Sequence, residues 1–160
     1  MRIAIIGGSI SSLAALKLLL EQGHEVTVFE QHPHSLDDQG AGITITPELF
    51  ATLKNHHIFD QDQTIVHIGS RTILCNNHHQ TEIICEQKFS AHALHWQTLY
   101  TKLKAAVPHD NIKSGHRVLK IDGKTLTTLH QGKESQQTFD LIIGADGYHS
   151  LTAKHICGEI

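Results

Sequence analysis

The chain has 160 residues, 39% hydrophobic and 18% charged, with a formal net charge of −3. That is about one domain's worth, enough for a proper core, and it excludes a fibre or a disordered tail. No basic excess marks a nucleic-acid footprint, and no apolar run approaches the roughly 18–20 residues that cross a bilayer as a helix.

The chain opens on Ile3 to Ile6, a short β-branched apolar run with the pattern of a parallel strand covered on both faces. Gly7 and Gly8 break it. Ser9 to Gln22 reads as a helix, with Leu13, Leu16, Leu19 and Leu20 at helical spacing. Gly23 is a natural stop for that helix, and Val26 to Phe29 is a second strand. At the strand-to-helix turn of such a βαβ unit, unpaired N–H groups and the helix dipole suit a diphosphate.

The G-x-G-x-x-G fingerprint that makes room for a dinucleotide is only partly present, because its three slots hold Gly7, Ser9 and Ser12. Ser9 still allows close backbone approach and carries a hydroxyl donor. Ser12 adds bulk where helix packs on strand, a cost of roughly 1–3 kcal/mol if nothing moves. Glu30 ends the second strand, close to the roughly twenty positions expected for a ribose-binding acid. A carboxylate there accepts from a vicinal diol and repels a 2′-phosphate, which favours FAD or NAD over NADP. A βαβ unit with no ligand is the alternative.

Gln31 to Gly40 is polar, carries Pro33 and reads as loop. Gly40-Ala41-Gly42 then leads into a short strand through Ile45; its glycines either let the backbone lie against a flat ligand or simply make a tight turn. Pro47 opens a helix through about Asn55, with Leu49, Phe50 and Leu53 on one face. From Thr64 to Phe89, short β-like runs at Ile65–Ile68, Thr72–Leu74 and Glu82–Cys85 alternate with polar stretches, notably Asn76 to His79. They suggest an antiparallel ribbon inserted into the core at about 64–89. His95 to Ala106 returns to helix, with Trp96, Leu99, Leu103 and Val107 on one face and Pro108 as terminator.

Ile112, Arg117 to Ile121 and Thr125 to Leu129 form another β segment with a turn at Asp122-Gly123. Phe139 to Ile143 is the second strong apolar strand; it runs into Gly144-Ala145-Asp146-Gly147, and Ser150 to His155 begins a further helix. Repeats and low-complexity linkers are absent, so the sequence reads as one α/β domain with an insertion.

The fifteen histidines fall in small groups such as His32 with His34, His78 with His79 and His92 with His95. None has H-E-x-x-H or comparable spacing, so no metal site is expected; a steep gain of positive charge below about pH 6.5 is. Cys75, Cys85 and Cys157 form no C-x-x-C pair and are odd in number, which favours a reduced, cytoplasmic setting. The apolar residues after Arg2 are followed at once by a glycine turn, unlike a signal peptide.

Taken together, Ile5-Ile6-Gly7-Gly8-Ser9-Ile10, Val28-Phe29-Glu30-Gln31, Gly40-Ala41-Gly42-Ile43, His95 to Tyr100 and Asp140 to Gly147 with Ser150 resemble the FAD-binding N-terminal part of class A flavoprotein monooxygenases. This is the para-hydroxybenzoate hydroxylase-like group, and within it the match looks closest to the 2,6-dihydroxypyridine monooxygenase-like branch. The resemblance implies a Rossmann-like FAD-binding domain over 1–160. It also implies an NAD(P)H-dependent flavoprotein that hydroxylates an aromatic or heteroaromatic ring. Gly7, Gly8, Ser9, Ile10, Ser11 and Ser12 would face the FAD pyrophosphate through backbone amides, and Glu30, with Gln31 beside it, would hold the adenosine ribose. Gly42 would lie along the cofactor, Val118 would offer its backbone to the adenine, and Asp146 would belong to a D-G motif linked to both FAD and NAD(P)H handling; just past a strand end, it is placed to accept from backbone amides and brace the pyrophosphate loop. A plain Asx turn is the alternative for Asp146. No side chain is marked as a catalytic acid or base.

Several residues depart from the family pattern. Gln31 and Lys154 stand where arginines are common, Trp96 where many relatives carry Arg, and Ser12 where glycine is usual. Each removes a phosphate-directed donor or adds bulk, which points to weak FAD affinity. Family members are substantially longer, with a second flavin motif and most of the substrate pocket in their later half. Nothing after Asp146 matches that motif, so the expectation is a truncated chain, or a half completed by another chain. A fragment or degenerate paralogue that binds FAD or NAD without turnover is the alternative function, and a classical NAD-linked Rossmann domain a third.

Overall fold

Strand β1 (Arg2–Ile6) has four buried residues in a row, Ile3 to Ile6. In the computed structural model, which describes residues 1–34, 40–77 and 80–158, this strand lies at the centre of a four-stranded sheet. Its neighbours are β2 (Glu25–Glu30) on one side and β10 (Leu141–Gly144) on the other, with β6 (Ile112–Ser114) beyond β2. All pairings are parallel. Helix α1 (Ile10–Glu21) connects β1 to β2 and buries Leu13 and Leu16; Gly23, at φ +77, ends it through amide bonds from Gly23 to Leu20 and His24 to Leu19.

The opposite face of the sheet is covered by a second, antiparallel sheet of β7 (Arg117–Asp122), β8 (Thr125–His130) and β9 (Lys133–Thr138). There Ala4, Ile6 and Phe29 pack on Ile121, Leu126 and Phe139, with Leu151 of helix α4 (Leu151–Cys157) at the margin. Phe29 meets Phe139 edge to face at 5.9 Å. Cover on both faces is the physical reason β1 reads as an unbroken apolar run rather than an alternating one.

The chain divides into two compact units, Met1–Gln39 with Tyr100–Ile160, and Gly40–Leu99. The second unit is larger than the ribbon at 64–89. It contains β3 (Gly42–Ile45), α2 (Pro47–Asn55), β4 (Val66–Asn77) and β5 (Gln80–His95), in the sheet order β3-β5-β4. The three short runs expected of the ribbon are two long strands. Val66–Ile68 and Thr72–Leu74 belong to one strand interrupted by a register shift between Ile68 and Ser70, and Ile65 lies just before it. His95, expected to open a helix, instead ends β5 opposite Gly42, and helix α3 runs Trp96–Ala105. Helix α2 has the expected bounds, with Thr46 Oγ1 accepting from the Leu49 amide at 3.2 Å. Residues 35–39 of the expected Gln31–Gly40 loop, and His78 with His79, lie outside the described residues.

Candidate functional site

Three strand ends set the position of the site. Ile6 of β1 stands in register with Phe29 of β2 and with Gly144 of β10, so β1, β2 and β10 finish along one edge of the parallel sheet. The carboxyl edge of such a sheet is where α/β folds place ligands, because chain turns and helix N-termini gather there. A cleft of about 590 Å³ opens on it, within the size range of small-molecule sites.

The floor of the cleft is the Gly7–Ser9 turn. Gly7 has φ +102 and lies so close to the Ala145 carbonyl that a Cβ would collide with it. Its own amide donates to Phe29 O at 2.9 Å, and the Ala145 amide donates to Ile6 O at 2.8 Å. The Gly7 amide is therefore occupied within the sheet, a correction to the reading that all amides from Gly7 onward face a phosphate. In α1 the ladder starts with Leu13 N–H to Ser9 O, which puts the amides of Ile10, Ser11 and Ser12 in the helix's unsatisfied first turn. Ser9 holds the N-cap position without using its side chain as a cap, and it lines the cleft. Ser12 is fully buried and its Oγ has no hydrogen-bond partner among the described residues.

Glu30 closes the side of the cleft. It is 8% exposed, and its Oε1 accepts from the His32 amide at 2.7 Å. Its Cβ and Cγ lie 2.8 Å, and its Oε2 2.7 Å, from where a Cβ on Gly8 would stand. Gly8 is thus the position that admits the Glu30 side chain. Backbone bonds from His116 N–H to Glu30 O (2.9 Å) and Gly115 N–H to His32 O (3.1 Å) tie this segment to the chain beyond β6. With one oxygen held by an amide, the carboxylate enters any complex already oriented.

Asp146 lines the cleft from the β10 side, but its carboxylate is turned to α4. Oδ1 accepts from Ser150 Oγ at 2.6 Å, and Oδ2 from the amides of Leu151 at 2.7 Å and Thr152 at 3.2 Å. The backbone amides it accepts are those of a helix N-terminus, and the Gly7 turn is tied to β10 through the Ala145 backbone. Ser150 Oγ accepts from Ala153 N–H at 2.8 Å, completing the cap.

Of the residues singled out in the sequence, Gly7, Gly8, Ser9, Glu30, Gln31, Val118, Asp146 and Lys154 line this one cleft. Ile10, Ser11 and Ser12 follow on α1. Gly42 is the first residue of β3 in the second unit, extended rather than turned, with nothing within 4 Å of where its Cβ would be. His32, His116, Arg117 and His149, which the sequence does not mark as site residues, also line the cleft. Their one signal was adjacency, since each sits within three residues of a position already chosen. Among the described residues, no group of three or more His, Cys, Asp or Glu side chains is placed to hold a metal. The three cysteines are exposed and free, and no described helix is long and apolar enough to cross a membrane.

Residues 5–60 match the family model of an NAD(P)-binding Rossmann-like domain. The chain is 28% identical to 6-hydroxynicotinate 3-monooxygenase of Pseudomonas fluorescens over 170 residues, covering 98% of this chain and 43% of the relative. It is 30% identical to an FAD-dependent monooxygenase of Aspergillus fumigatus over 162 residues, 94% of this chain and 34% of that protein. The solved structure of 2,6-dihydroxypyridine-3-hydroxylase from Arthrobacter nicotinovorans superposes with a TM-score of 0.76 at 26% identity, over 99% of this chain and 40% of the other. The chain thus spans about two fifths of the length of such relatives. It resembles the FAD-binding part of the class A flavoprotein monooxygenases, in sequence and in fold alike.

Proposed function

We propose that the first unit binds FAD by its ADP half, and that the chain is the FAD-binding portion of an NAD(P)H-dependent monooxygenase acting on a small aromatic or heteroaromatic ring. The observation that carries this reading is the convergence on one cleft of the Gly7 turn, the open first turn of α1 and a buried, amide-oriented Glu30. The donor set suits the group. The Ile10, Ser11 and Ser12 amides and the Ser9 hydroxyl offer hydrogen to a diphosphate at a positive helix end. Glu30 Oε2 is left to accept from ribose hydroxyls, and its charge repels a 2′-phosphate. Arg117 and Lys154 add positive charge to the cleft wall, taking over part of the role of the arginines common in the family.

When bound, FAD supplies the redox chemistry, with NAD(P)H as reductant. What this chain contributes is binding, orientation and fixed charge; none of its cleft residues is assigned proton transfer at a reacting atom. A second reading, binding without turnover, is favoured by the span of two fifths of the relatives' length. On it, the rest of the flavin and substrate pocket comes from further polypeptide, such as a complementary C-terminal half on another chain.

Titration of the purified chain with FAD, NAD and NADP tests both readings. FAD is expected to bind most tightly and NADP least; a preference for NAD would overturn the flavin reading in favour of an NAD-linked domain. Mixed with FAD, NADH and 2,6-dihydroxypyridine, the chain alone is expected to form no hydroxylated product. Measured hydroxylation would overturn the fragment reading.

A further inference from the structure

One wall of the cleft carries an imidazole, His116, backed by a second. His116, between β6 and β7, and His130, the last residue of β8, stack with ring centroids 3.9 Å apart and planes only 4° from parallel. Each ring is fixed at its Nδ1, that of His116 by Ser114 O at 3.0 Å and that of His130 by Gly115 O at 3.1 Å. A carbonyl can only accept, so both Nδ1 atoms carry hydrogen. Phe29 closes on His116 from the core side, its ring 6.4 Å away and tilted by 59°. His116 lines the cleft and His130 stands behind it. One face of His116 is thus taken by His130 and its Nδ1 by the Ser114 carbonyl, while the residue itself lines the cleft.

Sheet order places this pair relative to the other groups. Along the carboxyl edge the order is β1, then β2, then β6. These strands carry, in turn, the Gly7 turn with the α1 N-terminus, Glu30, and the Ser114–His116 connection. Diphosphate donor, ribose acceptor and flat aromatic surface therefore follow one another over two strand spacings, about 10 Å. That is the order of the parts of a nucleoside diphosphate. Val118 and Leu119 line the same wall, with Arg117 between them and His116.

We infer that His116, braced from behind by His130, is a stacking platform that reads the base of the bound nucleotide and selects a purine. This rests on the nucleotide reading of the cleft given above. A ring already locked by its neighbour and its Nδ1 bond loses little freedom when a base settles on it, so the contact goes into affinity. The larger ring system of a purine covers more of the platform than a pyrimidine does.

The test uses the full chain, with ADP binding followed by calorimetry and UDP measured as its competitor; the two share ribose and diphosphate and differ in the base. The unsubstituted protein is expected to prefer ADP over UDP by about tenfold. His116→Ala is expected to weaken ADP by about tenfold and bring the ratio near one, and His116→Phe, which keeps an aromatic face, to hold ADP within about threefold. His130→Ala is expected to fall between, because His116 loses its brace. Thermal melts of all three variants identify any loss caused by misfolding, which would lower ADP and UDP together. An unchanged ADP-to-UDP ratio in a folded His116→Ala protein, or equal losses in the Phe and Ala variants, would overturn the platform and leave the nucleotide site standing. A parent chain that binds neither nucleotide would overturn both.

Discussion

Gly8→Ala tests the joint on which the cleft depends. The added methyl would stand 2.7–2.8 Å from Oε2, Cβ and Cγ of Glu30, nearer than carbon and oxygen atoms pack. Glu30 Cβ is fixed to its strand, so turning the carboxylate away cannot relieve the contact. Either the α1 entrance and β2 separate slightly, an overpacking cost of about 1–3 kcal/mol, or the side chain leaves its seat and loses the charge-assisted bond to the His32 amide, about 1.5–3 kcal/mol. These are alternative routes, so their costs do not add. A loss of about 2 kcal/mol is expected, which lowers Tm by roughly 4–8 °C for a chain of this size. Because the carboxylate is no longer held in place, ADP affinity is expected to fall about tenfold as well. Gly69→Ala is the control, since the nearest atom to its new methyl is His67 Cε1 at 3.9 Å; it is expected to be neutral or slightly stabilising. A Gly8→Ala protein that melts within about 1 °C of the parent and binds ADP equally well would refute the packing of Glu30 on Gly8.

Glu30→Ala should weaken ADP by about tenfold or more while narrowing the discrimination against 2′-phosphorylated nucleotides; unchanged affinity in calorimetry would overturn the proposed ribose-binding role of Glu30. Ser12→Ala deletes a buried hydroxyl that has no partner among the described residues, so urea unfolding should show a gain of up to about 1–2 kcal/mol. A loss instead would mean that the Oγ is hydrogen-bonded in solution. Asp146→Ala removes three bonds at the start of α4. It should cost about 1–2 kcal/mol, with faster amide exchange confined largely to Leu151–Cys157. Exchange that accelerates first at Gly7–Ser12 would instead make Asp146 a brace of the glycine turn.

The β1–α1–β2 unit was legible because periodicity and chain order act locally: an apolar β-branched run, a glycine turn and a helical leucine stripe each carry their own signal. Strand β9 was not. Lys133 to Thr138 is polar throughout and exposed along its length, so no alternation marks it; it exists because β8 offers a pairing edge. The turn before it did leave a trace, since Gln131 and Gly132 both have positive φ, the hairpin geometry that a glycine in that place favours. The ribbon was underestimated for a related reason. Gly69 looks like an end in the sequence, yet lies within one strand beside a shift in register, and the pairing of β3 with β5 joins residues fifty positions apart.

The sequence alone was enough for the parallel Rossmann-like core, the position of the glycine turn after β1 and the acid at the tip of the second strand, because each is written in neighbouring residues and the backbone preferences of glycine. Tertiary structure decided the rest. It packed Glu30 on Gly8, occupied the Gly7 amide with Phe29, turned Asp146 towards α4, and brought His116 from beyond β6 to the wall of the same cleft. These are contacts between segments far apart in the chain, set by strand order and by which polar groups folding leaves to be satisfied, and local sequence has no means of recording them.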